Sequence, residues 1–153
     1  MNGHAIAETA RRYVGTRFRH QGRDARTGID CVGLAVLIAR DLKLEHVDSV
    51  TYARCPNPRN LLATLARCCD RVSRLADPLS LEHDTASLGV ARTGDLLVFS
   101  PLRPSLPRHV AVFVGEGIVH AIEGSGINRV VEAPLSGDWL KDLHSTWRFR
   151  WQP

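Results

Sequence analysis

Cys31 stands in the run Gly28-Ile29-Asp30-Cys31-Val32-Gly33-Leu34, at the head of a segment, residues 30–39, that is apolar on every side after its first turn. Such a segment reads as a buried helix. The first backbone N–H groups of a helix have no partner within it and carry the positive end of its dipole. A cysteine placed there is expected to have a lowered pKa and a sulfur that is nucleophilic near neutral pH. Gly33 is read as clearing space for the approach of a substrate backbone. The plain alternative is a buried structural cysteine in a helix capped by Asp30.

A thiolate nucleophile needs a base that can hold a proton and then deliver it to the leaving group. His109 heads the apolar run 110–114, and His120 lies within the next one, 118–122. Two histidines on adjacent strands of one hairpin suggest a shared site. If the loop is Glu116-Gly117, His120 pairs with Phe113 and shares the face of His109. A one-residue change in loop length puts Glu123 opposite His109 instead. The third position therefore stays open between His120 and Glu123.

These residues must be positioned by helices in the first half and strands in the second. Ile6, Ala10, Tyr13 and Val14 recur at i, i+4, i+7 and i+8 and predict a helix ending at Gly15. A polar, Arg- and Gly-rich loop follows over 16–28. Asn57 and Pro58 read as the cap and first residue of another helix, with Leu61, Leu62, Leu65, Ala66, Cys69 and Val72 on its apolar face. The period then changes. Residues 96–99, 110–114, 118–122 and 129–132 are strand candidates, residues 147–151 alternate as a last strand with an aromatic face, and 76–92 read as a surface loop. Helices followed by an antiparallel meander predict an α+β fold, with residues 1–153 forming one domain.

The chain has 153 residues, enough for one sizeable core. No apolar run approaches the roughly 20 residues needed to span a bilayer, and residues 1–12 read as an amphipathic helix without an apolar signal core. A protein of this kind working outside the cytosol would need delivery other than by a classical signal peptide. The excess of 20 basic over 16 acidic residues is almost all arginine, and Arg17, Arg19, Arg23 and Arg26 cluster in sequence near Cys31. A nucleic-acid interface is disfavoured, because Phe18 is the only aromatic among those arginines, too little for a stacking platform. Cys55, Cys68 and Cys69 are read as buried thiols. No Cys/His spacing resembles a zinc site, so neither metal nor organic cofactor is expected.

Five blocks together carry a resemblance: Gly15-Thr16-Arg17-Phe18-Arg19-His20-Gln21-Gly22; Gly28 to Leu34; Gly94-Asp95-Leu96-Leu97-Val98-Phe99; His109-Val110-Ala111-Val112-Phe113-Val114-Gly115; and Val119-His120-Ala121. In this order they resemble the NlpC family of papain-like cysteine peptidases, which cut bacterial cell-wall peptides. The resemblance spans residues 5 to 151. Arg19 to Gly22, Asp30 to Gly33, Asn128 to Glu132 and Trp147 to Phe149 further resemble the subgroup encoded with phage tails, prophages and gene transfer agents.

The resemblance implies a papain-like fold with the nucleophile at the start of a buried helix packed on the meander. It implies Cys31 as nucleophile, His109 as base and then acid, and His120 as the group that orients His109. Asp30 would cap the helix and shape the site for a substrate amine; Phe18 and Arg108 would also contact substrate. The implied substrate is a peptidoglycan stem peptide, cut between D-glutamate, through its γ-carboxyl, and the diamino acid. The implied partners are tail-tip or baseplate proteins of a phage-like particle, with action in the periplasm or cell wall. Phe18 stands where many members have Tyr, and Val32 where Ser is common, which removes two polar contacts to substrate. The alternatives are a papain-like amidase or acyltransferase on another substrate, and a non-catalytic tail-tip subunit of the same fold.

Overall fold

Ile6, Ala7 and Ala10 lie on one side of α1 (Gly3–Arg12) and are buried, as the spacing predicts. The helix stops just before a turn in which Gly15, at φ +94°, adopts a conformation that disfavours other residues. The N–H of Gly15 donates to Val130 O at 2.9 Å, tying the turn to the far edge of the sheet. The computed structural model describes residues 3–48, 58–73, 75, 77–102, 106–124 and 126–151.

The expected loop 16–28 contains a small hairpin, β1 (Arg23–Asp24) with β2 (Gly28–Ile29), which delivers the chain directly into α2 (Cys31–Asp41). Leu34, Val36, Ile38 and Ala39 of α2 are buried, in keeping with its apolar sequence. The next helix, α3 (Pro58–Cys68), begins at the proline; its expected cap Asn57 lies outside the described residues, as does Cys55. The helix does not run on through Cys69 and Val72. Cys69–Arg71 form β3 instead, because Cys69, Asp70 and Arg71 find ladder partners in Phe149, Arg148 and Trp147. Tertiary pairing here overrides the helical period. Cys68 and Cys69 are both buried and unbridged, with their sulfurs 3.9 Å apart.

The second half supplies β4 (Leu96–Phe99), β5 (His109–Phe113), β6 (Gly117–Ile122), β7 (Arg129–Pro134), a short helix α4 (Asp138–Asp142) and β8 (Leu143–Phe149). All pair antiparallel in one six-stranded sheet of order β3-β8-β4-β5-β6-β7. The meander therefore covers β4 to β7, and β8 returns to pair between β3 and β4. The last strand starts at Leu143 and ends at Phe149, not at 147–151; Trp151 makes only an isolated bridge with Leu44. The expected surface loop 76–92 holds defined structure over the described residues 77–92. A 3₁₀ turn at Thr85–Val90 buries Ser87 against Thr146 Oγ1 at 2.8 Å, and the Arg71 guanidinium donates to the carbonyls of Pro78 and Ser80.

Alternation along the strands gives the sheet a core on each face. Leu96, Val98, Val110, Val112, Val119 and Ala121 face the helices and meet Ile6, Leu34, Ile38 and Leu62. On the other face Leu97, Phe99, Ala111, Ile118 and Leu143 form a smaller core with Trp139 of α4. The family-like α+β arrangement of helices on an antiparallel sheet is thus what the sequence pattern predicts, with the order of the strands added by long-range pairing.

Candidate active site

Asp30 has extended backbone angles and starts α2 as its cap: Oδ1 accepts from the Gly33 N–H at 2.8 Å. Its other oxygen accepts from the Gln21 N–H at 2.8 Å, and Arg23 Nη1 lies 3.2 Å from Oδ1. At 3% exposure this carboxylate is a structural hub that fixes the loop 20–23 against the first turn of α2. Gly33 serves the same junction. A Cβ there would lie 2.2 Å from Gly22 O, so the space it leaves is filled by the protein's own backbone rather than by a substrate. Of the four clustered arginines, Arg23 is engaged with Asp30 and Asp48, and Arg26 with Asp24; Arg17, Arg19 and Arg26 are exposed.

Cys31 is half-buried at this turn. The backbone N–H groups of Val110, Val32 and Cys31 itself lie close enough to its sulfur to favour the thiolate, so the head of β5 neighbours the thiol. His109 is the residue before Val110. Its Nε2 lies 2.8 Å from Nδ1 of His120, which is fully buried. The hairpin that brings them together turns at Gly115-Glu116, with Val114 N–H on Gly117 O and Phe113 opposite Ile118. The expected loop Glu116-Gly117 is thus displaced by one residue, and the pairing of Phe113 by two, from His120 to Ile118. A slip of two preserves the face, which is why the two imidazoles still meet. Glu123, one residue beyond β6, is exposed on the cavity wall.

Trp139 was not singled out from sequence. Its ring stands 5.1 Å from that of His109, 4.9 Å from that of His120 and 5.0 Å from that of Phe99. The five residues of α4 are too few for a periodic signal, and a lone Trp after a Gly-Asp pair carries none. Gly137, at φ +56°, makes the turn that starts α4. One cavity of about 640 Å³ is lined by Cys31, His109 and Trp139, and also by Phe18, Asp30, Arg108 and Glu123. Every sequence-nominated site residue but the buried His120 therefore reaches this cavity. Among the described residues, no group of three or more His, Cys, Asp or Glu side chains gathers where it could hold a metal ion, and no helix is long and apolar enough to cross a membrane.

The model of the NlpC/P60 family matches residues 15–148. The chain belongs to the NlpC/P60 family. Solved structures with the same fold include an NLP/P60 family protein similar to a lipoprotein from Staphylococcus aureus (TM-score 0.66, 18% identity, 98% of this chain and 42% of that one). Another is an NlpC/P60 family protein from Bacillus cereus (TM-score 0.66, 16% identity, 100% and 41%). A third is the NlpC/p60 domain of the peptidoglycan hydrolase SagA (TM-score 0.59, 21% identity, 95% and 97%). The chain thus spans about two fifths of the first two and nearly all of the SagA domain. No curated protein sequence matches it.

Electrostatics in this NlpC/P60 site run against one sequence expectation. Burial pushes the Cys31 thiol up to about 11, and the Asp30 carboxylate adds to that rise, while the three N–H groups on the sulfur pull the other way. The partial charge of the helix terminus does not offset desolvation. His109 is held down to about 3, by burial first and then by His120 and Arg108; His120 is held down to about 4 by burial. Thiol and imidazole are both neutral in the unliganded cleft. With Nε2 directed to His120, Nδ1 is the ring nitrogen of His109 left outside this contact. Were His109 Nε2–H the donor to His120 Nδ1, His109 Nδ1 would be an acceptor.

Proposed function

We propose that this NlpC/P60 chain is a cysteine peptidase that hydrolyses amide bonds of peptidoglycan stem peptides, with residues 1–153 acting as one catalytic domain. The observation that carries the reading is the His109–His120 contact on the wall of the cavity that Cys31 opens into. A thiol at a helix terminus, a neutral imidazole and a second imidazole fixing its tautomer are the parts acyl transfer needs. The SagA domain with which the chain shares its fold belongs to a peptidoglycan hydrolase, which supports the choice of substrate.

In this mechanism the Cys31 sulfur attacks the amide carbonyl carbon as its proton passes to His109 Nδ1. The Cys31 N–H, which has no partner within the helix at the head of α2, helps hold the carbonyl oxygen as it becomes negative. The C–N bond then breaks, the amine leaves with the proton from His109, and a thioester remains on Cys31. Water attacks the thioester, giving its proton to His109. The C–S bond breaks, and His109 returns the proton to the sulfur.

The bond assigned is that between the γ-carboxyl of D-glutamate and the diamino acid, and the setting assigned is a phage-tail-like particle whose tail-tip or baseplate proteins hold the chain. The bond rests on the resemblance to the wider family, and the setting on the resemblance of the blocks around residues 19–22, 30–33, 128–132 and 147–149. Incubation with purified peptidoglycan should release new amines, and mass spectrometry of the soluble products should identify the bond. Cys31→Ala should abolish release with little loss of folding. A wild-type protein that releases no amines but binds tail-tip proteins would support a purely structural role.

A further inference from the structure

The cavity that holds the Cys31 turn is also lined by α3. Asn60, Ala63, Thr64 and Arg67 line the cavity at i, i+3, i+4 and i+7, so one face of this helix forms its wall. The opposite face is apolar and buried, with Leu62, Leu65 and Cys68 in the core. Amphipathic packing thus directs the polar stripe at the cleft.

The other charged groups of the cavity are already engaged. Asp30 is held by Gly33, Gln21 and Arg23. Arg108 and Glu123 each have an interaction within the protein. Arg67 is exposed and has no carboxylate partner among the described residues. A guanidinium presents a planar fork of donors that matches a carboxylate, and here it is flanked by a hydroxyl one turn earlier and an amide two turns earlier on the same face.

We propose that Arg67, with Thr64 and Asn60 beside it, forms a subsite for a free carboxylate of the substrate, so that the cleft selects acidic peptides. The proposal rests on the peptidase reading for the identity of the ligand as a peptide, and it names a specificity determinant within that reading. An acidic group on the chain leaving or entering past α3 would be drawn in by Arg67 while the scissile amide lies at Cys31.

The test uses two synthetic γ-D-glutamyl–diamino acid peptides that differ only in whether the free carboxylates are intact or amidated. Their affinities are measured by calorimetry with the Cys31→Ala protein, alone and combined with Arg67→Met or Arg67→Lys. The carboxylate peptide should bind about tenfold tighter than the amide, the difference one charge-assisted hydrogen-bonded contact supplies. Arg67→Met should remove that preference and leave the amidated peptide within about twofold, while Arg67→Lys should restore part of it. Equal weakening of both peptides, an unchanged preference in Arg67→Met, or no binding of either peptide would overturn the subsite. Turnover is scored separately with Cys31 intact. An Arg67-dependent preference in binding without any cleavage would leave the subsite standing and remove the peptidase reading.

Discussion

His109 Nε2 meets His120 Nδ1 at 2.8 Å, so the proposed base has a neutral imidazole rather than a carboxylate as its partner. A neutral partner fixes the tautomer but adds no negative charge to favour the imidazolium, which agrees with the depressed pKa of both rings. His120→Ala should therefore lower turnover by roughly 10- to 1000-fold, within the range of an orienting group, and leave Cys31 alkylation measurable. Glu123→Ala should cost much less. Steady-state kinetics on soluble stem peptides decides; equal losses in both variants would return Glu123 to the triad.

The raised thiol pKa makes a prediction of its own. With Cys31 at about 11, the rate of iodoacetamide labelling should climb about tenfold per pH unit from about pH 7 to pH 10, as the thiolate fraction does well below its pKa. Peptide mapping assigns the labelled cysteine. A plateau already reached near neutral pH would mean that His109 holds the thiolate as an ion pair.

Trp139 packs its ring against both imidazoles. Trp139→Leu should reduce kcat by roughly 10- to 100-fold through loosened positioning of His109. It should also move the acid limb of kcat/KM upward, toward the ordinary histidine value, because burial is the first cause of the depression. A lower Tm with an unmoved limb would assign Trp139 to packing alone.

Asp95, in the block Gly94-Asp95-Leu96, is 2% exposed and far from the chemistry in role. Its two oxygens accept from Arg148 Nε and Nη2, each at 2.8 Å, and Oδ2 also accepts from the Arg92 N–H. The pair clamps the start of β4 to β8. Asp95→Ala should cost about 2–4 kcal/mol by leaving donors unpaired at a buried site, read as a fall in the urea midpoint. The slope of Cys31 alkylation against pH should stay unchanged.

Stability should fall in acid through the buried histidines. His109, His120 and His144 are all held below the ordinary value, to about 3, 4 and 4, with burial the first cause in each. The unfolded chain therefore binds more protons than the folded one below about pH 6.5, and stability drops as pH falls from there toward pH 4. Thermal unfolding should show a Tm lower by about 5 °C or more at the acid end of that window. His144→Gln should flatten the dependence in part without touching the active site.

The place of Cys31 at the first turn of a buried helix was legible in the sequence because it depends on local structure. An apolar segment headed by Asp30 and Cys31 specifies a buried helix, its cap and the residue at its first turn. The shared face of His109 and His120 was legible for a similar reason: a period of two survives a register shift of two residues, and the observed shift was of that size. Other features depended on contacts distant in the chain. The helical period of α3 continued on paper through Cys69 and Val72 and was cut short by pairing with β8. Gly33 proved to admit the Gly22 backbone, an approach no local pattern encodes. Trp139 joined the histidines from a five-residue helix with no periodic signal. The direction of the Cys31 pKa turned on how much water the surrounding elements exclude, which is a sum over the whole fold and is settled only when sheet and helices have closed around the thiol.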